Sequence, residues 1–333
     1  METKKLKIFK SPWHLAHDFD LMMALKDDAE FDLLVNYTRR WDERLRPFPP
    51  NAKWVLNFEK GKYDVAILNI DQQCGNANLN KSVLTQQMKA IVKEDPNCKI
   101  IFINHGTPVY PEYYKDGSAK TKFVSEELRK EIMNIVGDEF MVVNSYQAAE
   151  DWGRGHVIIH GMEPEEWITS DIKEPRVATF ISQQGIGDKY YNRSFLVAVM
   201  EELEKRHGIQ LQWINTPRCF NARDIKDYKE FLAKTLVYFN PTYASPMPRS
   251  RTEAMLAGCC IVTTKQHGAD KIIQDGYNGF IVPHNNPDFS ANVIAKLLKQ
   301  NYSEAKQMGK NARETAIQLF NRERYRQDWL KIL

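Results

Sequence analysis

A chain of 333 residues, 43% hydrophobic and 27% charged, carries enough apolar surface for two α/β domains of ordinary size. Its formal net charge of +3 excludes a dedicated nucleic-acid binder, which would show a strong basic excess. The five cysteines are odd in number, Cys259 and Cys260 are adjacent, and no C-x-x-C pair occurs, so neither a disulfide framework nor a cysteine zinc site is expected and a reducing compartment fits.

At the start of the chain, METKKLKIFKSPWHLAHDF has no apolar signal-peptide core. The longest apolar runs, such as FLVAVM at 195–200, are far below a membrane span. The expectation is a cytoplasmic protein whose only membrane contact is weak and peripheral. Short β-branched runs then alternate with helical periodicity, the pattern of an α/β fold. LKIF (6–9), FDLLVNY (31–37), DVAILNI (64–70), KIIFIN (99–104), FMVVN (140–144) and HVIIH (156–160) read as strands. Between them LAHDFDLMMALKD, SVLTQQMKAIVKED and SEELRKEIMNIVG read as helices, the last with Ser125 as N-cap. The polar, proline-bearing EPEEWITSDIKEPR (163–176) reads as a linker. Alternation then restarts, with strands VATFIS (177–182), IQLQWIN (209–215), TLVYFN (235–240), CIVTT (260–264) and GFIVP (279–283) between five helical stretches. The domains are expected at 1–165 and 166–315, with 316–333 returning as a helix to the first.

Chemistry concentrates in NPTYASPMPRSRTEAMLAGCCIVTT, residues 240–264. A strand ends at Asn240, a proline-rich loop follows, and Pro248 suits the first turn of a helix that stops at Gly258. The C-terminal edge of a parallel sheet is where open α/β folds bind ligands, and the free N–H groups of a helix start receive anions. Arg249 and Arg251 add positive charge beside Ser250 and Thr252, and the Glu253 carboxylate can accept from a diol such as a ribose. An ordinary helix start with acids in its first turn and exposed arginines would read the same way.

The longer segment SPMPRSRTEAMLAGCCIVTTKQHGADKIIQDGYNGFIVP resembles the donor-binding region of retaining GT-B glycosyltransferases of the GT4-like family. The ordered features are a proline loop, Glu-Ala-Met on a helix, a glycine, a strand, a small-residue loop and the turn from Asp275 to Phe280. The resemblance implies two Rossmann-like domains facing each other across a cleft. It places Glu253 on the ribose of the donor nucleotide, with Arg249, Ser250, Arg251 and Thr252 around it. The loop of Ser245, Met247 and Pro248 would face the donor sugar, with His267 and Gly268 nearby. Where the family's other glutamate is usual, eight positions before Glu253, this chain has Ser245. Lys189 and Arg193 are the cations left at the helix entry that meets the diphosphate. A solvated helix-start arginine is the alternative for Arg193, and a surface loop residue for His267.

In the first half, His105 follows a strand expected to be central, and the resemblance places it near the donor sugar. The loop after the first strand lacks the family's glycine pair and offers Trp13, His14, His17 and Asp18 instead. Trp13, His14 and His17 suit an acceptor sugar, although Trp13 as a core residue is an equal reading. No third ligand joins His14 and His17 in a metal site. The arginine-rich NYTRRWDERLRPFPP (36–50) is either an acceptor or lipid surface or, as favoured, a solvated loop with its own ion pairs. The expected reaction is metal-independent transfer, without a cofactor, from a nucleotide-diphosphate sugar (UDP- or GDP-linked) to a glycan or lipid-linked hydroxyl, with retention. A GT-B epimerase, a sugar phosphorylase and a non-catalytic two-lobed binding protein are the rivals.

Overall fold

A computed structural model describes residues 4–35, 41–75, 80–113, 119–181, 190–216, 220–245, 247–265 and 268–333. The chain divides into two compact units. Residues 1–108, 124–162 and 322–333 make the first, and residues 109–123 and 163–321 the second. The expected boundary at 165/166 moves to 162/163, and the C-terminal segment of the first unit begins at 322 rather than 316.

The first unit is built on a seven-stranded parallel sheet. Its strands are β1 (Leu6–Lys10), β2 (Ala29–Leu34), β3 (Ala52–Val55), β4 (Val65–Ile70) and β5 (Lys99–Asn104). A separate pair, β6 (Val109–Tyr113) and β7 (Ala119–Val124), interrupts the chain before β8 (Phe140–Val143) and β9 (His156–Val157). The order is β3-β2-β1-β4-β5-β8-β9, so the direction of winding reverses between β1 and β4. β4 is buried at all six positions, as a strand covered on both faces requires. β3 was not foreseen: at this edge Lys53 and Trp54 are exposed, so no buried alternation marks it. HVIIH yields only the two residues of β9, and His160 lies beyond it. The helices are α1 (Leu15–Ala24), α2 (Asn80–Lys93), α3 (Glu126–Val136) and α4 (Tyr146–Trp152). Ser125 accepts from the Leu128 amide and so caps α3.

The second unit carries a five-stranded parallel sheet. Its strands are β10 (Glu174–Thr179), β11 (Gln212–Trp213), β12 (Thr235–Asn240), β13 (Cys260–Thr264) and β14 (Gly279–Val282), in the order β11-β10-β12-β13-β14. Its helices are α5 (Arg193–His207), α6 (Ile225–Lys234), α7 (Arg249–Leu256), α8 (Pro287–Lys299) and α9 (Tyr302–Leu319). The last helix, α10 (Arg322–Leu330), belongs to the first unit, where Tyr325 and Trp329 join the core under β1 and β5. Asp224 and Asn286 cap α6 and α8 through their side chains.

The segment read as a linker is packed structure of the second unit. Trp167 is 3% exposed, and the buried Lys173 donates to the carbonyls of Ala233 and Ala257 at 2.7 and 2.8 Å. One ammonium thereby serves the C-terminal ends of α6 and α7, where orphan carbonyls and the helix dipole favour a cation. Among the described residues no helix is long and apolar enough to cross a membrane.

Candidate functional site

In the second unit the sheet reverses its winding between β10 and β12, and the loop leaving β12 leads into α7. Such a reversal opens a crevice at the carboxyl ends of the strands. The loop is braced from three sides. The backbone amides of Tyr243 and Ala244 donate to the Tyr190 carbonyl at 2.9 and 3.0 Å. Tyr243 meets the His284 ring edge-on at 4.8 Å, and the Thr264 hydroxyl donates to the Thr242 carbonyl. Met247 is 6% exposed, Pro248 is buried and occupies the N-cap position of α7, and Ser245 stays half-buried at the start of this apex.

Glu253 is only 6% exposed. Its Oε2 accepts from the Tyr228 hydroxyl at 3.0 Å and its Oε1 from Arg249 Nε at 2.9 Å. Ser250 Oγ donates to the Phe180 carbonyl at 3.2 Å, tying α7 to the chain just past β10, and Thr252 is fully buried. Arg251 departs from expectation. It is 1% exposed, and its guanidinium reaches Met247 Sδ at 3.4 Å. Burial pulls its pKa down to about 10, since a charge in low dielectric is poorly solvated. Arg251 therefore supports the loop apex from within and is no surface cation for a phosphate, a correction to the sequence reading.

Arg193 opens α5, is exposed, and lies 6.0 Å from the centre of the Trp213 ring. Gly268 takes a left-handed φ of +72° just after β13, a conformation glycine adopts without strain. Lys189 and His267 lie outside the described residues. The Asp275–Phe280 turn proves structural: Asp275 Oδ1 accepts from the Ile281 amide at 2.7 Å, and Asn278 donates to the Ile272 carbonyl at 2.9 Å. A Cβ on Gly279 would stand 2.1 Å from the Ile261 carbonyl oxygen, so β14 can pair with β13 only through glycine there.

In the first unit a second group of polar side chains gathers at the carboxyl ends of β1, β4 and β5. Lys10, wholly buried, pairs with Asp18 at 2.9 Å, and the other oxygen of Asp18 accepts from the Trp13 amide at 2.7 Å. This pair fixes the turn from β1 into α1. Trp13 is 8% exposed and Lys81 Nζ sits 4.7 Å from the centre of its ring, so this indole is largely a packing residue. Asn69 on β4 donates to the Ser11 carbonyl at 2.5 Å, and its Oδ1 lies 2.9 Å from His105 Nε2. The Ser11 carbonyl orients the Asn69 amide, so the network assigns the His105 proton to Nε2.

His14 and His17 do meet His105, with ring centres 5.1 and 5.3 Å away, and His17 lies 5.8 Å from His160. His14 is exposed, His17 and His105 half-buried, and His160 2% exposed, so the four imidazoles run from surface to interior. Among the described residues no group of three or more His, Cys, Asp or Glu is placed to hold a metal ion. In the 36–50 segment, Arg44 pairs with Asp42 at 2.8 Å and Arg46 is buried, while residues 36–40 lie outside the described residues. Sequence reasoning missed Tyr228, Asn69, His160 and Trp329. Only His160 carried a signal, as a histidine closing a strand-like run.

Residues 202–315 match the family described as glycosyl transferases group 1. The chain is 27% identical over 139 residues to an uncharacterised glycosyltransferase of Methanocaldococcus jannaschii, covering 41% of this chain and 35% of that protein. It is 25% identical over 158 residues to spore coat protein SA of Bacillus subtilis, covering 46% of this chain and 39% of the relative. The matches thus span well under half the length of either relative. In three dimensions the chain is similar to HepE of Anabaena, solved with UDP and glucose, with a TM-score of 0.70, 15% identity and 98% of each chain covered. Sucrose-phosphate synthase of Thermosynechococcus elongatus superposes with a TM-score of 0.70 at 13% identity, again over 98% of both chains.

Proposed function

We infer, from the match of residues 202–315 to the glycosyl transferases group 1 and from a GT-B fold, that this chain moves a sugar from a nucleotide-diphosphate donor to a hydroxyl acceptor with retention at the anomeric carbon. The observation that carries this reading is the placement of Glu253. A buried carboxylate, held by Tyr228 and Arg249, stands on α7 at the carboxyl edge of the second sheet, inside the matched segment. The similarity to HepE, which was solved with UDP and glucose, supports a nucleotide-sugar donor.

In this reading Glu253 accepts from the ribose hydroxyls, and the amide groups at the α7 start face the diphosphate with Arg193 adding charge. The acceptor oxygen bonds to the anomeric carbon as the bond from that carbon to the diphosphate oxygen breaks. The acceptor proton passes to the departing phosphate, so the nucleoside diphosphate leaves with the electron pair and the proton. His105, its proton placed on Nε2 by Asn69, hydrogen-bonds the transferred sugar. No resident cofactor takes part in this scheme. The acceptor is a glycan or a lipid-linked sugar, and the reaction is assigned to the cytoplasm.

The test is a panel of UDP-, GDP- and ADP-sugars with mixed acceptors, followed by donor titration of Glu253→Ala and Tyr228→Phe. Loss of hydrogen bonds to a charged group predicts about 10- to 100-fold weaker donor binding for Glu253→Ala and a smaller loss for Tyr228→Phe. Unchanged donor affinity in Glu253→Ala defeats the reading. Donor binding without release of nucleoside diphosphate to any acceptor would favour a binding protein, and interconversion of the donor sugar an epimerase.

A further inference from the structure

We propose that the histidine cluster of the first unit is a proton-coupled site for an anionic oxygen group, a carboxylate or a phosphate ester carried by a sugar. Three of the four imidazoles, those of His17, His105 and His160, border a cavity of about 20 Å³, together with Asn144, Tyr325 and Trp329. That volume holds about one water-sized oxygen, so it admits one ligand atom and leaves the rest of the ligand at the surface near the exposed His14. The cavity already contains a group in need of such an atom. Trp329 is 1% exposed and its indole Nε1 donates to no described group. A buried N–H left unsatisfied is costly, so a ligand oxygen there gains what the fold has left unmade.

The fixed charges explain why the occupant arrives with protons. Asp18 borders the cavity and is neutralised by Lys10. On α2, Lys81 is 3.4 Å from Asp71. On α10, Arg324 pairs with Asp328 at 2.7 Å and spends its other nitrogen on the carbonyls of Ile159 and His160. Tyr325 is the remaining titratable group of the wall. Apart from Lys331, which is exposed and shares Asp328 with Arg324 at 3.2 Å, these pairs cancel, and the charge that can answer an anion inside the cavity must come from imidazoles, which gain protons near neutral pH. With the rings only 5.1–5.9 Å apart, several imidazolium ions repel one another in the empty site, and an anion among them removes that repulsion. The proposal rests on the transfer reading only in naming this anion as part of the acceptor.

The experiment is calorimetric titration of the full chain with sulfate, with glucuronate and with glucose, at about pH 6 and about pH 8, in buffers of different ionisation enthalpy. Sulfate represents a phosphate-like group of fixed charge, glucuronate a carboxylate, and glucose a neutral control. About one proton taken up per anion is expected, with affinity falling up to about tenfold per pH unit as pH rises through the imidazole range. Trp329→Phe, which keeps the ring and removes the N–H donor, and His160→Gln each weaken the anion without altering glucose. Binding of sulfate alone assigns a phosphate ester, and binding of glucuronate alone a carboxylate. Absence of binding by both anions, equal affinity at the two pH values, or an unchanged Trp329→Phe overturns the proposal. No nucleotide is present, so this failure is distinct from an unchanged donor affinity in Glu253→Ala.

Discussion

Asp18 illustrates how much one carboxylate in this chain organises. It neutralises a lysine with no solvent exposure and holds the Trp13 amide, which sets the path from β1 into α1. Replacing Asp18 by Asn strands the Lys10 charge in low dielectric, an error that costs about 3–5 kcal/mol. The expected result is a large drop in the denaturation midpoint of the first unit, with much of it restored when Lys10→Met is added. A loss below about 1 kcal/mol would show that Lys10 reaches water, since exposed pairs are worth no more than that. Glu253 was legible from its setting in the sequence, but its Tyr228 partner was not. The two lie on different helices, and hydrogen bonds across 25 residues leave no periodicity to read.

At the scale of elements, α7 is buried from Arg251 to Leu256 and is also gripped at its end. Lys173 and Arg313 both donate to its last carbonyls, from Ala257 and Leu256. α9 then crosses so closely that a Cβ on Gly309 would lie 2.2 Å from the Gly258 carbonyl oxygen. Two glycines, one ending α7 and one within α9, are thus a single contact. Gly309→Ala must push the helices apart and is expected to cost about 1–3 kcal/mol and to weaken donor binding, because α7 carries Glu253. Thermal denaturation alongside donor titration checks both, and a stability change within about 0.5 kcal/mol would mean that the helices are not in that contact. The alternation of strands and helices was readable because burial imposes a period on each. β3 escaped because an edge strand with exposed Lys53 and Trp54 has little period to impose.

At the scale of the molecule, the described cysteines report on the two units separately. Cys74 and Cys98 are buried in the first and Cys259 and Cys260 in the second, all as free thiols. Burial pushes the Cys98 thiol up to about 12 and Cys259 up to about 11, and raises Cys74 and Cys260 as well. Thiolate is the reactive form, so at about pH 8 these positions resist alkylation while folded and react once exposed. Iodoacetamide labelling along a urea gradient, read by peptide mass spectrometry, should show Cys74 and Cys98 becoming reactive together, and Cys259 and Cys260 together. Rapid labelling of Cys259 in the native protein would contradict the burial described.

Sequence alone determined what depends on neighbours along the chain. β4 and β12 announce themselves as continuous apolar runs because they are covered on both faces; Ser125 marks a helix start because its hydroxyl answers an orphan amide, and Pro248 because it has no N–H to lose there. The loop from Ser245 into α7 was likewise visible as a strand-to-helix connection at the carboxyl edge of the sheet. Tertiary structure decided which of its charges face outward. Arg249 and Arg251 are two positions apart on one short helix, yet one pairs with Glu253 and the other is buried behind Met247. It also brought His17, His105 and His160, from three separate stretches, onto one cavity and set Trp329, from the far end of the chain, in its wall. Burial and pairing of polar groups are settled by the packing of distant segments, which local periodicity does not encode.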